Sequence, residues 1–478
     1  MDKSLAKNAA FNIAYKLLNV LFPLTTIAYV SRILMPEGVG KVSYAQTIAS
    51  IFVIIASLGV PAYGVKKIAA LKNNEDPNEI HRTYSEILVI LILSTIVTCC
   101  VYSVIIFSLQ FTRREINLYL AAGLQILLVS CNVDWLYQGK EDYKYIALRS
   151  FALKILSLVL ILFLVRTQDD YIIYALITSL AVAGNNIINV IHSRKYVYFT
   201  VKGLNLKRHL VPVFVLLLST LAIELYSKVD TTMLGIMCNE STVGYYTNSV
   251  KVINALLVAM TAVTAVFLPR LSLFYKENKK EYNKLVNEGV KILLFLSLPL
   301  CIGLIIVSDD FVNVIFGSAF SAASMALRIL SPLIIIKGIG DLLNYQVIIS
   351  AGKEKFFLIT NSSAAVLNII LNYLLIPVYQ QDGAAIASVI SELVVNVGMF
   401  IVSSRIVKIR IEKRFVITET ISVLLMGIIV LAVNNILINS TIRLLLSVVC
   451  GAVVYLAVNL IMKNEMLKFF HKIKLKKL

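Results

Sequence analysis

The sequence predicts an all-α polytopic membrane protein with about fourteen transmembrane helices, and three observations support this fold class. Hydrophobic residues make up 59% of the 478 positions and the mean hydropathy is +0.84, well above the roughly 45–50% apolar share of soluble domains. Apolar runs of about 20 residues recur along the whole length, and each can cross a hydrocarbon core of about 30 Å. These runs are apolar on every face, whereas β-barrel strands alternate apolar and polar positions.

The predicted helices follow these runs in chain order, and charged or turn-forming residues separate them. The predicted spans are 9–33, 43–65, 84–110, 116–138, 145–165, 171–192, 210–237, 244–268, 289–308, 322–350, 356–377, 382–404, 415–434 and 441–462. The first run is longer than the apolar core of a signal peptide and lacks a small-residue cleavage site, so we expect it to remain as the first helix.

The distribution of positive charge predicts the orientation of the chain, because Lys and Arg concentrate in short cytoplasmic loops. The N-terminus, every second loop after it and the C-terminal tail together hold 32 Lys and Arg, and the opposite loops hold 6. We therefore expect both termini to face the cytoplasm. The net charge of +18 follows loop parity and forms no single basic face, so nucleic acid is not an expected partner.

An internal repeat divides the chain. A shift of 213 residues superimposes the stretch that begins at Gly139 (GKE) on the one at Gly352, and the Gln-Asp pair at Gln168 on the pair at Gln381. A weaker match at a shift of 204 sets Gly40 against Gly244. The repeat predicts an N-terminal lobe (1–205), a C-terminal lobe (206–405), and a segment (406–478) with two accessory helices and a basic cytoplasmic tail. Six helices per lobe is an even number, so the repeats are predicted to be parallel across the membrane.

Three stretches carry a family resemblance: SRILMPEGVGKVSYAQT from Ser31, CNVDWLYQGKEDYKYIALRS from Cys131, and KVDTTMLGIMCNESTVGYYTNSVKV from Lys228. With the helix plan, the chain resembles Wzx-type polysaccharide (O-antigen) flippases of the multidrug/oligosaccharidyl-lipid/polysaccharide exporter superfamily. The resemblance implies a V-shaped pair of lobes around a cavity with alternating access. It also implies an undecaprenyl-diphosphate-linked oligosaccharide as cargo, membrane lipids and other polysaccharide-assembly proteins as partners, and the bacterial cytoplasmic membrane as location.

Such a cargo carries a hydrated anionic head, which needs a polar, cationic cleft. Ionisable residues within spans cost at least a few kcal/mol each, so they normally face a bundle interior or a wet cavity. The basic residues that we count within the predicted spans are Lys16, Arg149, Lys154, Lys228, Lys251, Arg328 and Lys337, whereas Arg32, Lys291 and Arg443 at span ends are counted with the loops. The acidic residues counted with them are Asp134, Glu224, Asp230, Asp341, Glu392 and Glu419. This near balance argues against a purely cationic cavity.

Local pairing offers another explanation for some of these charges. Glu224 with Lys228 and Lys337 with Asp341 are spaced i,i+4, so each pair is either structural or functional. Arg149 lies one turn into its helix and either lines the cavity or extends to the interface. Asp230 matches a family motif position, with packing as the alternative role. The predicted cavity contacts are Lys16, Arg149, Lys154, Lys228, Asp230, Lys251, Arg328 and Lys337. The strongest of them, without an acidic residue three or four positions away in their own helices, are Lys16, Lys154, Lys251 and Arg328.

No enzymatic or metal site is predicted. The sequence has no Walker motif and no CxxC spacing, so we expect no catalytic residue, no bound metal and no cofactor. The energy source is then the cargo gradient or a coupled proton or sodium gradient. The four histidines and the tyrosines at cytoplasmic helix ends, such as Tyr145 and Tyr196, are interpreted as interfacial. Two other functions stay open: a drug or cation exporter of the same superfamily, and a non-transporting membrane scaffold for polysaccharide enzymes.

Overall fold

A computed structural model of the protein describes residues 3–71, 77–264, 268–348, 351, 353–436 and 439–467. Side chains are described from residue 24 onward, with gaps, so the side chain of Lys16 lies outside the described set, although its backbone belongs to the first helix. Gly352 and residues 468–478 of the basic tail also lie outside it. The described ranges contain helices and no strand, which confirms the predicted fold class.

The helices group into two compact units, Met1–Gly244 and Tyr245–Leu478. The helices of the first unit are α1 (Lys3–Ser57), α2 (Val60–Ala70), α3 (Pro77–Ser108), α4 (Gln110–Arg114), α5 (Ile116–Leu127), α6 (Asp134–Gly139), α7 (Tyr143–Leu164), α8 (Tyr171–Ala183), α9 (Asn185–Ser193) and α10 (Lys207–Met237). The remaining helices are α11 (Glu240–Thr264), α12 (Leu268–Glu277), α13 (Lys279–Ile315), α14 (Ala323–Leu330), α15 (Leu333–Asp341), α16 (Glu354–Ser404), α17 (Lys413–Asn434) and α18 (Ser440–Ile461). In the first unit α10 packs against α1 and α2. The lobe boundaries drawn from the repeat stay a prediction.

Eight segments of the described chain are long and apolar enough to cross a membrane. They are Leu24–Ala70, Asn78–Ser108, Tyr143–Leu164, Gln168–Ser193, Lys279–Ile315, Ile359–Ser404, Lys413–Asn434 and Ser440–Ile461. A shorter apolar stretch covers Ile116–Cys131. The protein is therefore multi-pass, and the number of fourteen spans stays a prediction.

Several predicted spans are broken in the structure. In place of one helix over 116–138, α5 is followed by a 3-10 turn at Leu128–Cys131 and then by α6. The predicted helix 171–192 is divided at Gly184 into α8 and α9. The predicted helix 322–350 is divided at Ser331 and Pro332 and ends in a π-helix, Leu342–Ile348. Hydropathy reports apolar composition alone, so it does not detect these interruptions.

Two other elements are continuous where loops were expected. The first two predicted spans form α1, which kinks at Met35 (φ 59°, ψ 174°) directly before Pro36. Proline disfavours helical geometry in the residue before it, which accounts for the position of this kink. Likewise α16 covers two predicted spans and kinks at Gln380 (φ 50°, ψ −126°).

In the second unit, α17 and α18 pack against each other and against α13. Polar side chains lie inside this otherwise apolar contact. The Tyr455 hydroxyl is 2.7 Å from Oε2 of buried Glu419, and Asn464 Nδ2 donates to Glu419 Oε1 at 2.6 Å. Arg443 on α18 also pairs with Asp310 on α13. The accessory helices α17 and α18 are thus joined to each other and to α13 by polar contacts as well as by apolar packing.

A close contact within the first unit joins residues that the repeat relates. At the shift of 204, Pro36 corresponds to Glu240 and Gly40 to Gly244. A Cβ at Gly40 would lie 1.7 Å from the Glu240 carbonyl oxygen, and a Cβ at Gly244 would lie 2.3 Å from the Pro36 carbonyl oxygen. The contact is therefore reciprocal, and only glycine fits on either side.

We predict that Gly40→Ala destabilises the protein, because the new methyl group meets a backbone carbonyl that belongs to a packed helix. Overpacking of this kind costs about 1–3 kcal/mol. The matched control is Gly303→Ala on α13, since no atom lies within 4 Å of a Cβ there. The control should be neutral or more stable, because alanine favours a helix by about 1 kcal/mol over glycine. Thermal unfolding in detergent measures both, and equal behaviour of the two variants would contradict the contact.

Candidate functional site

The polar site of the first unit forms where α6, α7 and α9 meet. Asp134 is the first residue of α6, after the 3-10 turn that ends α5. The Asp134 N–H donates to Asn132 Oδ1 at 3.3 Å, and the Trp135 indole N–H donates to the Asn132 carbonyl at 2.9 Å. These hydrogen bonds stabilise the non-helical segment between α5 and α6 and position the Asp134 carboxylate.

Arg149 on α7 is the centre of this site, with 7% of the residue exposed. Its Nη2 donates to Asp134 Oδ1 at 3.1 Å and its Nε donates to Asn185 Oδ1 at 2.9 Å. Asn189 Nδ2 also donates to Asp134 Oδ1. We call these four residues the Arg149 cluster. A guanidinium suits this arrangement because its planar fork serves two acceptors at once.

The Arg149 cluster keeps unused hydrogen-bonding capacity. Arg149 Nη1 and Asn189 Oδ1 are buried, and neither atom has a hydrogen-bond partner in the part of the chain that the structure describes. Buried polar atoms without partners are costly, and each one calls for an explanation such as a bound group. A donor and an acceptor left open beside one ion pair are able to receive a polar, anionic ligand.

Aromatic rings surround the Arg149 cluster. The Tyr145 ring lies 5.4 Å from the Arg149 guanidinium and stacks on His192 at 4.1 Å. The Tyr137 hydroxyl donates to the Asn189 carbonyl at 2.8 Å. Tyr196 donates to Asp142 Oδ2 at 2.9 Å, and burial with this bond raises the pKa of the Tyr196 phenol. The interpretation of Tyr145, His192 and Tyr196 as separate interfacial residues missed this packed group.

The other predicted contacts of the first unit with described side chains are Lys154, Lys228 and Asp230. Lys154, also on α7, is buried with 8% exposed. Lys228 and Asp230 are half-buried on α10, and Glu224 on the same helix is exposed. The cluster thus contains Arg149 of the predicted set, together with Asn185 and Asn189, which carry no charge and were missed.

In the second unit, two predicted cations have acidic partners from other helices. Lys337 on α15 pairs with Glu392 on α16 at 2.8 Å, whereas a structural pair with its i,i+4 neighbour Asp341 was one of the two alternatives. Arg328 Nη2 donates to Asp309 Oδ2 at 2.9 Å, and its Nε donates to the Ile305 carbonyl at 3.2 Å. Lys251 is half-buried on α11. Among the described residues no group of three or more His, Cys, Asp or Glu is placed to hold a metal ion.

A second buried polar group was not expected from the sequence. Glu86 on α3 is fully buried, and its Oε2 accepts from Arg208 Nη2 at 2.6 Å and lies 2.6 Å from His209 Nε2. Its Oε1 accepts from the Asn205 N–H at 2.6 Å, and the Tyr63 hydroxyl lies 2.6 Å from His209 Nδ1. This Glu86 cluster joins α2, α3 and the start of α10. An acid inside the predicted span 84–110 was the signal that could have found it.

We predict that Glu86→Ala strongly destabilises the protein, because it leaves Arg208 and His209 without their shared acceptor. Breaking a buried ion pair typically lowers the free energy of unfolding by about 3–5 kcal/mol. The control is Glu277→Ala, which replaces an exposed acid on α12 and should change the free energy of unfolding by less than about 0.5 kcal/mol. Denaturant unfolding in detergent micelles compares them, and a loss no larger than that of the control would rule out a stabilising role for the cluster.

Fold and site together define a multi-pass membrane protein with broken helices and a buried arginine–aspartate ion pair at two of the breaks. The family model described as "Polysaccharide biosynthesis protein" matches residues 5–275, and this chain belongs to that family. A protein of Escherichia coli (strain K12) described as an O-antigen transporter is 25% identical over 400 residues, which cover 82% of this chain and 95% of that protein. The capsular polysaccharide biosynthesis protein CapF of Staphylococcus aureus is 24% identical over 422 residues, which cover 84% and 100%.

Solved structures support the same fold. The lipid II flippase MurJ, in an inward closed conformation, superimposes with a TM-score of 0.73 at 14% identity and covers 96% of this chain and 99% of its own. An inward-facing multidrug resistance transporter of the MATE family superimposes with a TM-score of 0.66 at 16% identity and covers 83% and 98%. At these identities the likeness establishes the fold alone.

Proposed function

We propose that this protein is a flippase that moves an undecaprenyl-diphosphate-linked oligosaccharide from the cytoplasmic to the outer leaflet by alternating access. The product would serve O-antigen, capsule or exopolysaccharide assembly. The proposal places the protein in the bacterial cytoplasmic membrane with both termini in the cytoplasm. The matched relatives are described as transporters and polysaccharide biosynthesis proteins, so the chain itself is proposed to perform transport and no enzymatic step.

The observation that carries this proposal is the Arg149 cluster. Its open donor, Arg149 Nη1, is buried, and a hydrogen bond to a charged group is stronger inside a protein than in water. A diphosphate or a sugar acid supplies acceptors for it, and Asn189 Oδ1 can accept from a sugar hydroxyl. The Tyr145 and His192 rings next to Arg149 form an aromatic surface of the kind on which sugars pack.

The predicted contacts remain candidates in this proposal: Lys16, Arg149, Lys154, Lys228, Asp230, Lys251, Arg328 and Lys337. Arg149 and Lys154 rank first because both are buried on α7 of the same unit. Each of Arg149, Arg328 and Lys337 has an acidic partner, but the side chains of Arg328 and Lys337 are 36% and 35% exposed and therefore rank lower than buried Arg149.

Flipping is assayed in proteoliposomes that contain the purified protein and a short undecaprenyl-diphosphate oligosaccharide. Arg149→Lys keeps the charge but loses the planar fork, and Lys154→Leu removes a buried cation. We expect each to slow flipping by roughly tenfold to a hundredfold, because hydrogen bonds to charged groups contribute about 1.5–3 kcal/mol. The fraction of sugar accessible at the outer face over time is the measurement.

The matched control is Lys280→Ala, an exposed cation at the start of α13, which should flip at the unmodified rate. Normal flipping by Arg149→Lys and Lys154→Leu would keep the function and reject these residues. Absence of flipping with every glycan tested would favour the alternatives. Drug or cation export stays the second candidate, and accumulation of a cationic dye in the same vesicles tests it. A scaffold would move neither the oligosaccharide nor the dye.

The energy source is proposed to be the cargo gradient or a coupled proton or sodium gradient. Alternating access permits either, since it requires only that the cargo and the ion bind the two states differently. Dissipating the proton and sodium gradients in the same vesicles distinguishes a flippase driven by the cargo gradient from one coupled to ions. Flipping that continues unchanged would reject ion coupling.

A further inference from the structure

A cleft of about 500 Å³ lies where the start of α17 meets the end of α18. Its lining combines two basic side chains with apolar ones. The lining residues are Arg414, Ile417, Thr418, Ile461, Met462 and Lys463. It belongs to the accessory helix pair and shares no residue with the Arg149 cluster.

The positive charge of this cleft is not neutralised within the protein. Arg414 and Lys463 are exposed, and neither has an acidic side chain within 4 Å in the described part of the chain. The recorded contact of the Arg414 guanidinium is a long bond of 3.4 Å to the Met462 carbonyl. Both cations are therefore available to an anion.

The two acidic residues near this cleft pair with Lys291 and not with its basic side chains. Glu412 and Glu465 line an adjoining smaller cleft, but their carboxylates lie 2.8 and 3.3 Å from the ammonium of Lys291. The hydrogen bond from Lys291 lowers the pKa of Glu412, which therefore stays ionised and paired. The acids thus pair with Lys291 of α13, and neither of them neutralises Arg414 or Lys463.

The start of α17 adds to the attraction for an anion. Glu412 at its N-cap makes no side-chain hydrogen bond to the first turn. The uncapped N–H groups and the positive end of the helix dipole both favour negative charge. This 22-residue helix therefore supports the two basic side chains with a backbone contribution.

The apolar part of the cleft continues into the outer surface of the helix pair. Ile417 is 55% exposed and Ile461 is 79% exposed, and each belongs to an apolar helix long enough to cross a membrane. Such surfaces face acyl chains in a membrane. A soluble anion would match the charges alone, whereas a lipid matches both the charges and the exposed isoleucines.

We propose that this cleft binds the headgroup phosphate of an anionic glycerophospholipid, with the acyl chains along Ile417 and Ile461. Arg414 contributes a planar donor fork suited to phosphate, and Lys463 contributes a point charge. The site anchors the accessory helix pair to the membrane boundary. It rests on the multi-pass fold and is independent of the proposed flipping activity.

Native mass spectrometry of the full-length protein, released from detergent after titration with phosphatidylglycerol or phosphatidylcholine, tests this site. We expect saturable binding of phosphatidylglycerol over phosphatidylcholine. The double variant Arg414→Gln/Lys463→Gln should lose about tenfold to thirtyfold in apparent affinity, since each basic residue at an anionic surface adds about a factor of five. The control Lys280→Gln/Lys284→Gln removes the same charge from exposed positions of α13 and should bind as the unmodified protein does.

Unchanged phosphatidylglycerol binding by the Arg414→Gln/Lys463→Gln variant would overturn the site. An equal loss of binding in both double variants would also overturn it, because it would indicate non-specific attraction. Glycerol phosphate that competes at the same concentration as the lipid would assign the cleft to soluble anions and contradict a lipid site. Undecaprenyl phosphate that displaces phosphatidylglycerol at equimolar amounts would assign it to the transported lipid instead. If the first variant does not fold, Arg414→Lys alone, which keeps the charge and loses the fork, should still weaken binding severalfold.

Discussion

A charged side chain among apolar helices costs at least a few kcal/mol unless another group compensates it. This constraint explains the internal organisation of the protein. Arg149 with Asp134, Glu86 with Arg208, and Lys337 with Glu392 are each formed by residues from different helices. Every such pair fixes two elements relative to each other, because moving one element away would leave the charge on the other element without its partner. The polar pairs therefore specify the packing of helices whose apolar surfaces alone would fit together in many ways.

Helix breaks and polar contacts occur at the same places. Both acceptors of Arg149 belong to residues that begin a helix after an interruption: Asp134 begins α6 and Asn185 begins α9. A break in a membrane protein is tolerated where the irregular backbone is buried in protein or lines a cavity. Discontinuous helices of this kind form the substrate sites of several transporter classes. The geometry of the breaks thus favours the Arg149 cluster as a site even before its charge is considered.

The sequence predicted the helical class and the position of most apolar segments, because hydropathy depends on composition. It did not predict the breaks at Leu128–Cys131 or Gly184, since a 3-10 turn within an apolar run leaves hydropathy unchanged. Pairing could be considered only within a helix: Asp341 was one alternative partner of Lys337, whereas the structure pairs Lys337 with Glu392, 55 positions away. Asn185 and Asn189 were missed because no charge marked them. Contacts between distant segments need the fold, and one sequence does not supply it.

The contact between Gly40 and Gly244 bears on the orientation of the repeats. Each glycine faces the carbonyl of the residue four positions before the other glycine: Gly40 faces Glu240, and Gly244 faces Pro36. Gly40 and Gly244 therefore contact each other through corresponding positions of the sequence repeat. Parallel repeats place equivalent residues at the same depth in the membrane, whereas inverted repeats place them on opposite sides unless they lie at the midplane. The contact is compatible with parallel repeats, which stay a prediction.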